Sequence, residues 1–376
     1  MVTAMTRAIV VAAVLLVGCT QKPSFPPTPP ETKVKGTVIA SGLVNPWAVA
    51  FLPDGRFLVT EKSGSMRYVS AGGEKSAPLR GVPGVDTNGQ GGLLDLVLSP
   101  DFETSRRVYF TFSEKDGDVN GTVLATAILG ADALSEVNVL WRQTPKLAGG
   151  HHFGSRIVFA RDGKLFVALG ERNQRDLSQK LDHAQGKVVR LNTDGTPAAD
   201  NPFVATAGAL PEIWSYGHRN IQGAALNPTT GELWTNEHGP MGGDEVNVTR
   251  AGKNYGWPLI TYGREYSGGQ INDGATSAEG LEQPLHYWVP SIATSGMAFV
   301  TTDVYPAWKG SVLVGGLAGR CLSRLVLDGE RVSKEERLLT ELGERIRDVR
   351  EAPDGRIYVL TDEANGKLYR LDLADK

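Results

Sequence analysis

The sequence predicts an all-β chain folded as one six-bladed β-propeller. Three observations predict it: a single unit recurs six times, its apolar runs are too short for helices, and 45 glycines and 21 prolines punctuate the runs. The unit is an apolar run, a turn rich in Pro, Asp and Gly, a second apolar run, and later a third. Its copies begin AVAFLPDGRFLVTEK at Ala48, LLDLVLSPDFETSRRVYFTF at Leu93, RIVFARDGKLFVALGE at Arg156, AALNPTTGELWTNEHG at Ala224, MAFVTTDVYPAWKGSVLVGGL at Met297 and VREAPDGRIYVLTDE at Val349. Third runs follow as MRYVSAGG, TVLATAILG, KVVRLNTDG, EVNVTRAG, LSRLVLDG and KLYRLDL.

Runs of this length bury too little as helices, and no stretch sustains a capped 3.6-residue period, so they read as strands. A sheet of three or four strands cannot cover both its faces alone. Several packed radially around an axis cover one another, and six like units fit such a ring more simply than a two-sheet sandwich. Pro53 and Pro353 lie five intervals apart, about 60 residues per unit against ~40–45 in a minimal blade. The surplus falls in insertions at 171–187 and 252–290. GTVIAS at 36–41 is expected to pair with the last blade and close the ring.

Residues 1–18 read as an export signal: one arginine, Arg7, then an apolar stretch from Ala8 to Val17 that is too short to span a bilayer. The stretch ends in Leu16-Val17-Gly18-Cys19, which resembles a bacterial lipobox. That resemblance implies a lipid anchor on Cys19 and a periplasm-facing lipoprotein of the cell envelope. Thr20 after the cysteine favours the outer membrane. Residues 19–35, with five prolines from Thr20 onward, are expected to be an extended tether, leaving 36–376 as the propeller. The formal net charge of -3 gives no basic footprint for nucleic acid. Cys19 and Cys321 are the only cysteines, which excludes Cys₄ zinc and iron–sulfur sites.

In a propeller the residues just ahead of each first run meet at one mouth of the central channel. Here they include Gln90, His151-His152, His218-Arg219-Asn220 and Arg345-Ile346-Arg347. Arginines with amide partners in one concave mouth describe a pocket for a ligand bearing several carboxylates or other oxyanions. Taken singly, each group could simply cap a loop or pair with a nearby acid such as Asp95, Glu344 or Asp348. Adjacent histidines on extended backbone point opposite ways, so at most one of His151 and His152 faces the pocket. The loop Asn236 to Glu245 combines Gly239 and Pro240 carbonyls with acidic oxygens, a donor type suited to calcium, though acidic Gly-rich loops are usually solvated turns. HExxH, GxSxG and P-loop signatures are absent from the sequence.

At these residues the chain resembles the soluble glucose and aldose sugar dehydrogenases that use pyrroloquinoline quinone, a six-bladed propeller family. The resemblance is carried by GQGGLL at Gly89, GGHHFGSR at Gly149, EIWSYGHRN at Glu212, the loop Glu237 to Glu245, GKNYGWP at Gly252 and RIRDV at Arg345. It implies that His152 takes the proton of the sugar's anomeric hydroxyl while hydride passes to the quinone, and that Arg219 and Asn220 polarise the accepting oxygen. It further implies that Arg345 and Arg347 clamp cofactor carboxylates, with Gln90 and Tyr266 as further contacts. Gly239 and Pro240 would hold a calcium beside the quinone, and Glu245 and Tyr255 a structural one. The partners implied are aldose sugars and a soluble or membrane electron acceptor. Two positions depart from the family pattern: Ala318 stands where relatives place a lysine, with Arg320 nearby, and Ile221 follows Asn220 in place of proline. A calcium-dependent lactone hydrolase and a non-catalytic binding propeller are the competing readings.

Overall fold

The computed structural model describes residues 26–374. The expected export signal and Cys19 lie outside the described residues. The chain opens with β1 (Val34–Leu43). The first blade follows as β2 (Pro46–Phe51), β3 (Phe57–Glu61) and β4 (Ser65–Val69), and the second as β5 (Leu93–Leu98), β6 (Arg107–Asp116), β7 (Val119–Leu129) and β8 (Leu134–Arg142). The third blade comprises β9 (Gly154–Phe159), β10 (Leu165–Leu169), β11 (Lys187–Leu191) and β12 (Ile213–Tyr216). The fourth is β13 (Ile221–Leu226), β14 (Leu233–Glu237), β15 (Asp244–Val248) and β16 (His286–Trp288). The fifth is β17 (Thr294–Phe299), β18 (Val312–Gly316), β19 (Cys321–Asp328) and β20 (Arg331–Leu338). The last holds β21 (Ile346–Glu351), β22 (Ile357–Thr361) and β23 (Gly366–Leu373), and β1 completes it by pairing antiparallel with β23, Val34 opposite Leu373.

Each blade's first strand is innermost, and these strands touch in sequence: β2 to β5, β5 to β9, β9 to β13, β13 to β17, β17 to β21 and β21 back to β2. The ring is therefore closed, as the six-fold repeat predicts. The core is divided to match. Buried apolar residues form separate clusters, one in each cleft between neighbouring blades. In β10, Leu165, Val167 and Leu169 face the second blade while Phe166 and Ala168 face the fourth. The same split places Ile357 and Val359 of β22 against the fifth blade and Tyr358 and Leu360 against the first. Side chains alternate across a strand, so a strand buried on both faces reads as an unbroken apolar run.

Within the Pro-rich segment, Thr28 donates its N–H to the Glu335 carbonyl at 2.9 Å and Glu31 pairs with Lys334 at 2.6 Å. This stretch lies along β20, on the outside of the fifth blade.

Candidate active site

The inner strands start, and the second strands end, at the same end of the channel. A pocket of about 250 Å³ opens there, lined from the strand starts by Trp47, Gln90, Phe153, Gln222, Arg345 and Arg347, and from the second-strand ends by Lys62, His238, Leu317 and Asp362. Its charged lining consists of three cations, Lys62, Arg345 and Arg347, against one carboxylate, Asp362. Asp362 accepts from Arg347 at 2.8 Å and Arg345 at 3.3 Å. Burial would raise this carboxyl, but the two guanidinium groups outweigh it and hold it at about 2.

His152 is brought in by two close approaches of backbone. Gly89 sits at φ 57°, and a Cβ there would stand 2.2 Å from the Gly150 carbonyl oxygen. The Gln90 N–H donates to that same oxygen at 2.7 Å, and the Gln90 side-chain oxygen accepts from the His152 N–H at 2.8 Å. Gly89→Ala should therefore push the two loops apart. It is expected to cost roughly 1–3 kcal/mol of stability and to weaken ligand binding, measurable by thermal unfolding and titration. His152 itself takes φ 52°, so this stretch is not extended backbone. His151 is exposed and His152 buried, so one histidine faces inward as expected, by a left-handed kink in place of strand alternation.

The His152 Nδ1 lies 2.5 Å from Oε2 of Glu171, which ends β10's hairpin arm and is itself buried. An ionised carboxylate only accepts, so Nδ1–H donates and the lone pair is left on Nε2, which has no hydrogen-bond partner among the described residues. Burial lowers the imidazole pKa, with Arg219 acting in the same direction, and this outweighs the opposing pull of Glu171. The result is a neutral ring with a fixed tautomer, the state a general base requires.

Arg219 is buried and donates to the carbonyls of His238 at 3.2 Å and Gly239 at 2.7 Å, while its Nε has no partner. Its own N–H donates to Glu237 at 2.6 Å. Asn220 accepts from the Gly154 N–H and from Gln222, both at 3.2 Å. His238 lines both the mouth and a smaller adjoining pocket, where Arg219, Glu237, Gly239, Glu245 and Tyr255 meet. Burial together with repulsion from Glu237 pushes Glu245 up to about 8. Glu237 is already engaged by His218 and the Arg219 N–H, and the Tyr255 hydroxyl donates to the Val248 carbonyl at 2.5 Å. Among the described residues no three His, Cys, Asp or Glu side chains gather as metal ligands. A cation here would rest on backbone carbonyls and Glu245.

Gln90, Arg345 and Arg347 thus line the mouth and Arg219 and Gly239 the adjoining pocket, while His152 and Asn220 line neither but are tied to mouth residues through Gln90 and Gly154, and Pro240 lies in the adjoining loop. Tyr266 does not join them: it is 73% exposed and is not among the pocket's lining residues. Arg320 is likewise turned away, donating to the Gly343 carbonyl, so from the fifth blade only Ala293 and Leu317 line the mouth. The sequence reading missed Glu171, Asp362 and Lys62. For the acids a signal was present: VTEK, ALGE, TNEH and LTDE place a carboxylate within two residues of the second strand's end in four units.

Below the mouth the channel is filled by charge. Arg156, 2% exposed, pairs with Asp95 at 3.1 Å and Asp348 at 3.0 Å, donates to the carbonyls of Gln222 and Arg347, and stacks over Trp47. Arg350 bridges the same two acids.

A closed six-bladed ring with a cationic mouth beside a tautomer-fixed buried histidine defines a propeller with a candidate site for an anionic ligand. Residues 43–370 match the family model described as Glucose / Sorbosone dehydrogenase, and the chain belongs to that family, as an oxidoreductase acting on sugars. The chain is 48% identical over 339 residues to the Aldose sugar dehydrogenase YliI of Escherichia coli strain K12, covering 89% of this chain and 91% of that one. Among solved structures, the apo-form of the soluble aldose sugar dehydrogenase from Escherichia coli superposes with a TM-score of 0.89 at 47% identity, over 91% of this chain and 100% of that one. The PQQ-bound aldose sugar dehydrogenase from Streptomyces coelicolor does so with a TM-score of 0.76 at 31% identity, over 92% and 100%.

Proposed function

We propose that this chain oxidises aldose sugars at the anomeric carbon to lactones, using bound pyrroloquinoline quinone and Ca²⁺, with His152 as general base. The observation that carries the reading is the buried His152–Glu171 pair at 2.5 Å, beside a mouth with a surplus of cations. A polycarboxylate fits that surplus, and the partnerless Nε atoms of Arg219 and Arg347 agree with an oxyanion ligand. When bound, the quinone supplies the two-electron acceptor for hydride from the anomeric carbon, and calcium a Lewis acid.

His152 Nε2 takes the proton of the anomeric hydroxyl, and Glu171 stabilises the imidazolium that forms. Arg219 and Asn220 present fixed polar groups to negative charge growing on the cofactor side, and Arg345 and Arg347 orient its carboxylates. The lactone hydrolase alternative needs free acids crowding a metal in the channel. Here Asp95 and Asp348 are consumed by Arg156 and Arg350. The setting proposed for the enzyme is the periplasmic side of a bacterial envelope, on a lipid anchor at Cys19.

The test is reconstitution. Purified apoprotein is expected to reduce an electron-accepting dye with an aldose only when quinone and Ca²⁺ have both been added; turnover without quinone would overturn the reading. Because the neutral ring is the active form and burial lowers its pKa, activity should persist as pH falls past the usual imidazole value of about 6.5 and be lost only below it. Glu171→Gln removes the one group raising that pKa, so the acid limb should move lower still while kcat falls.

A further inference from the structure

From the surplus charge at the mouth we infer that Lys62 is a cofactor-binding residue, contributing from the first blade a cation that contacts a carboxylate of the quinone. The inference rests on the quinone reading above. Lys62 follows the last residue of β3, is half-buried, and lines the mouth with Gln90, Arg345 and Arg347. The two arginines share Asp362. Lys62 has no carboxylate partner among the described residues; its ammonium donates to the neutral carbonyl of Gly89 at 2.5 Å.

Lysine has three donors, and one is spent on Gly89. The position is also well fixed. The Lys62 N–H donates to the Asn45 carbonyl at 3.0 Å, and its carbonyl accepts from the Leu93 N–H at 3.1 Å, so the residue is tied to the first and second blades at the channel mouth. The ammonium stays exposed at the mouth, where an anionic ligand can reach its two remaining donors. The fifth blade offers only Ala293 and Leu317 to the pocket, with Arg320 facing Gly343, so a ligand with more than two carboxylates finds its remaining cation on Lys62.

The test is titration of the full chain with pyrroloquinoline quinone in the presence of Ca²⁺, followed by quenching of tryptophan fluorescence. Lys62→Ala is expected to raise the Kd at least tenfold and Lys62→Arg to stay within about threefold of the native chain, with thermal midpoints unchanged. Lys62→Gln separates charge from scaffolding, since its amide can still donate to Gly89: it should bind as weakly as the alanine variant, and its affinity should fall less steeply with salt than the native protein's. Native affinity in either Lys62→Ala or Lys62→Gln overturns the assignment while leaving the quinone reading intact. A native chain that binds no quinone overturns both.

Discussion

His152→Asn is expected to lower kcat by roughly 10²–10⁴-fold while leaving quinone affinity within a few-fold of native. Asparagine tolerates the left-handed backbone that His152 adopts at φ 52°, so the loop should keep its shape while the base is lost. The Gln90 contact is made to the main-chain N–H and survives the change. Stopped-flow absorbance of the reconstituted variant mixed with an aldose separates the two effects: binding persists and reduction is slow. A variant that reduces its cofactor at the native rate would remove His152 from the chemistry. Glu171→Gln should fall between native and His152→Asn, because it leaves the ring in place but withdraws the charge that stabilises the imidazolium.

Arg156→Met is expected to cost about 3–5 kcal/mol of stability. Methionine fills similar volume but strands Asp95 and Asp348 in the channel, with Arg350 as their sole remaining cation. Denaturant unfolding measures the loss, and a double-mutant cycle with Asp95→Asn should return part of it, since the two residues belong to one network. A loss below about 1 kcal/mol would mean that water reaches these acids. Arg156 also donates to the Arg347 carbonyl at 3.3 Å, so weaker quinone binding should accompany the loss.

The blades were legible in the sequence because their first three strands are buried on both faces and read as apolar runs around a Pro-Asp-Gly turn. The outer strands were not. β8 alternates irregularly between buried and exposed positions and β16 spans three residues, so neither carries a periodic signal. The first blade has three strands and no outer one, although its unit looks like the others. At the site, side chains just ahead of the inner strands were readable because propeller geometry sends them to one place. Their partners at the second-strand ends were hidden by chain distance: Glu171 meets His152 across a hairpin, and Lys62 reaches the loop ahead of the second blade. Tyr266 went the other way. It sits in an insertion, where no repeat constrains direction, and it points to solvent.

The seam between β1 and β23 sets an order of events. β1 leaves the ribosome first and its partner last, with Leu373 opposite Val34, so the strand must wait through synthesis of every intervening blade before it can pair. Until that moment the last blade lacks its outer strand. The mouth draws Lys62 and Gln90 from early in the chain and Arg345 and Arg347 from late, so it is complete only when the ring is, and on the function proposed above the quinone would be captured by a finished ring.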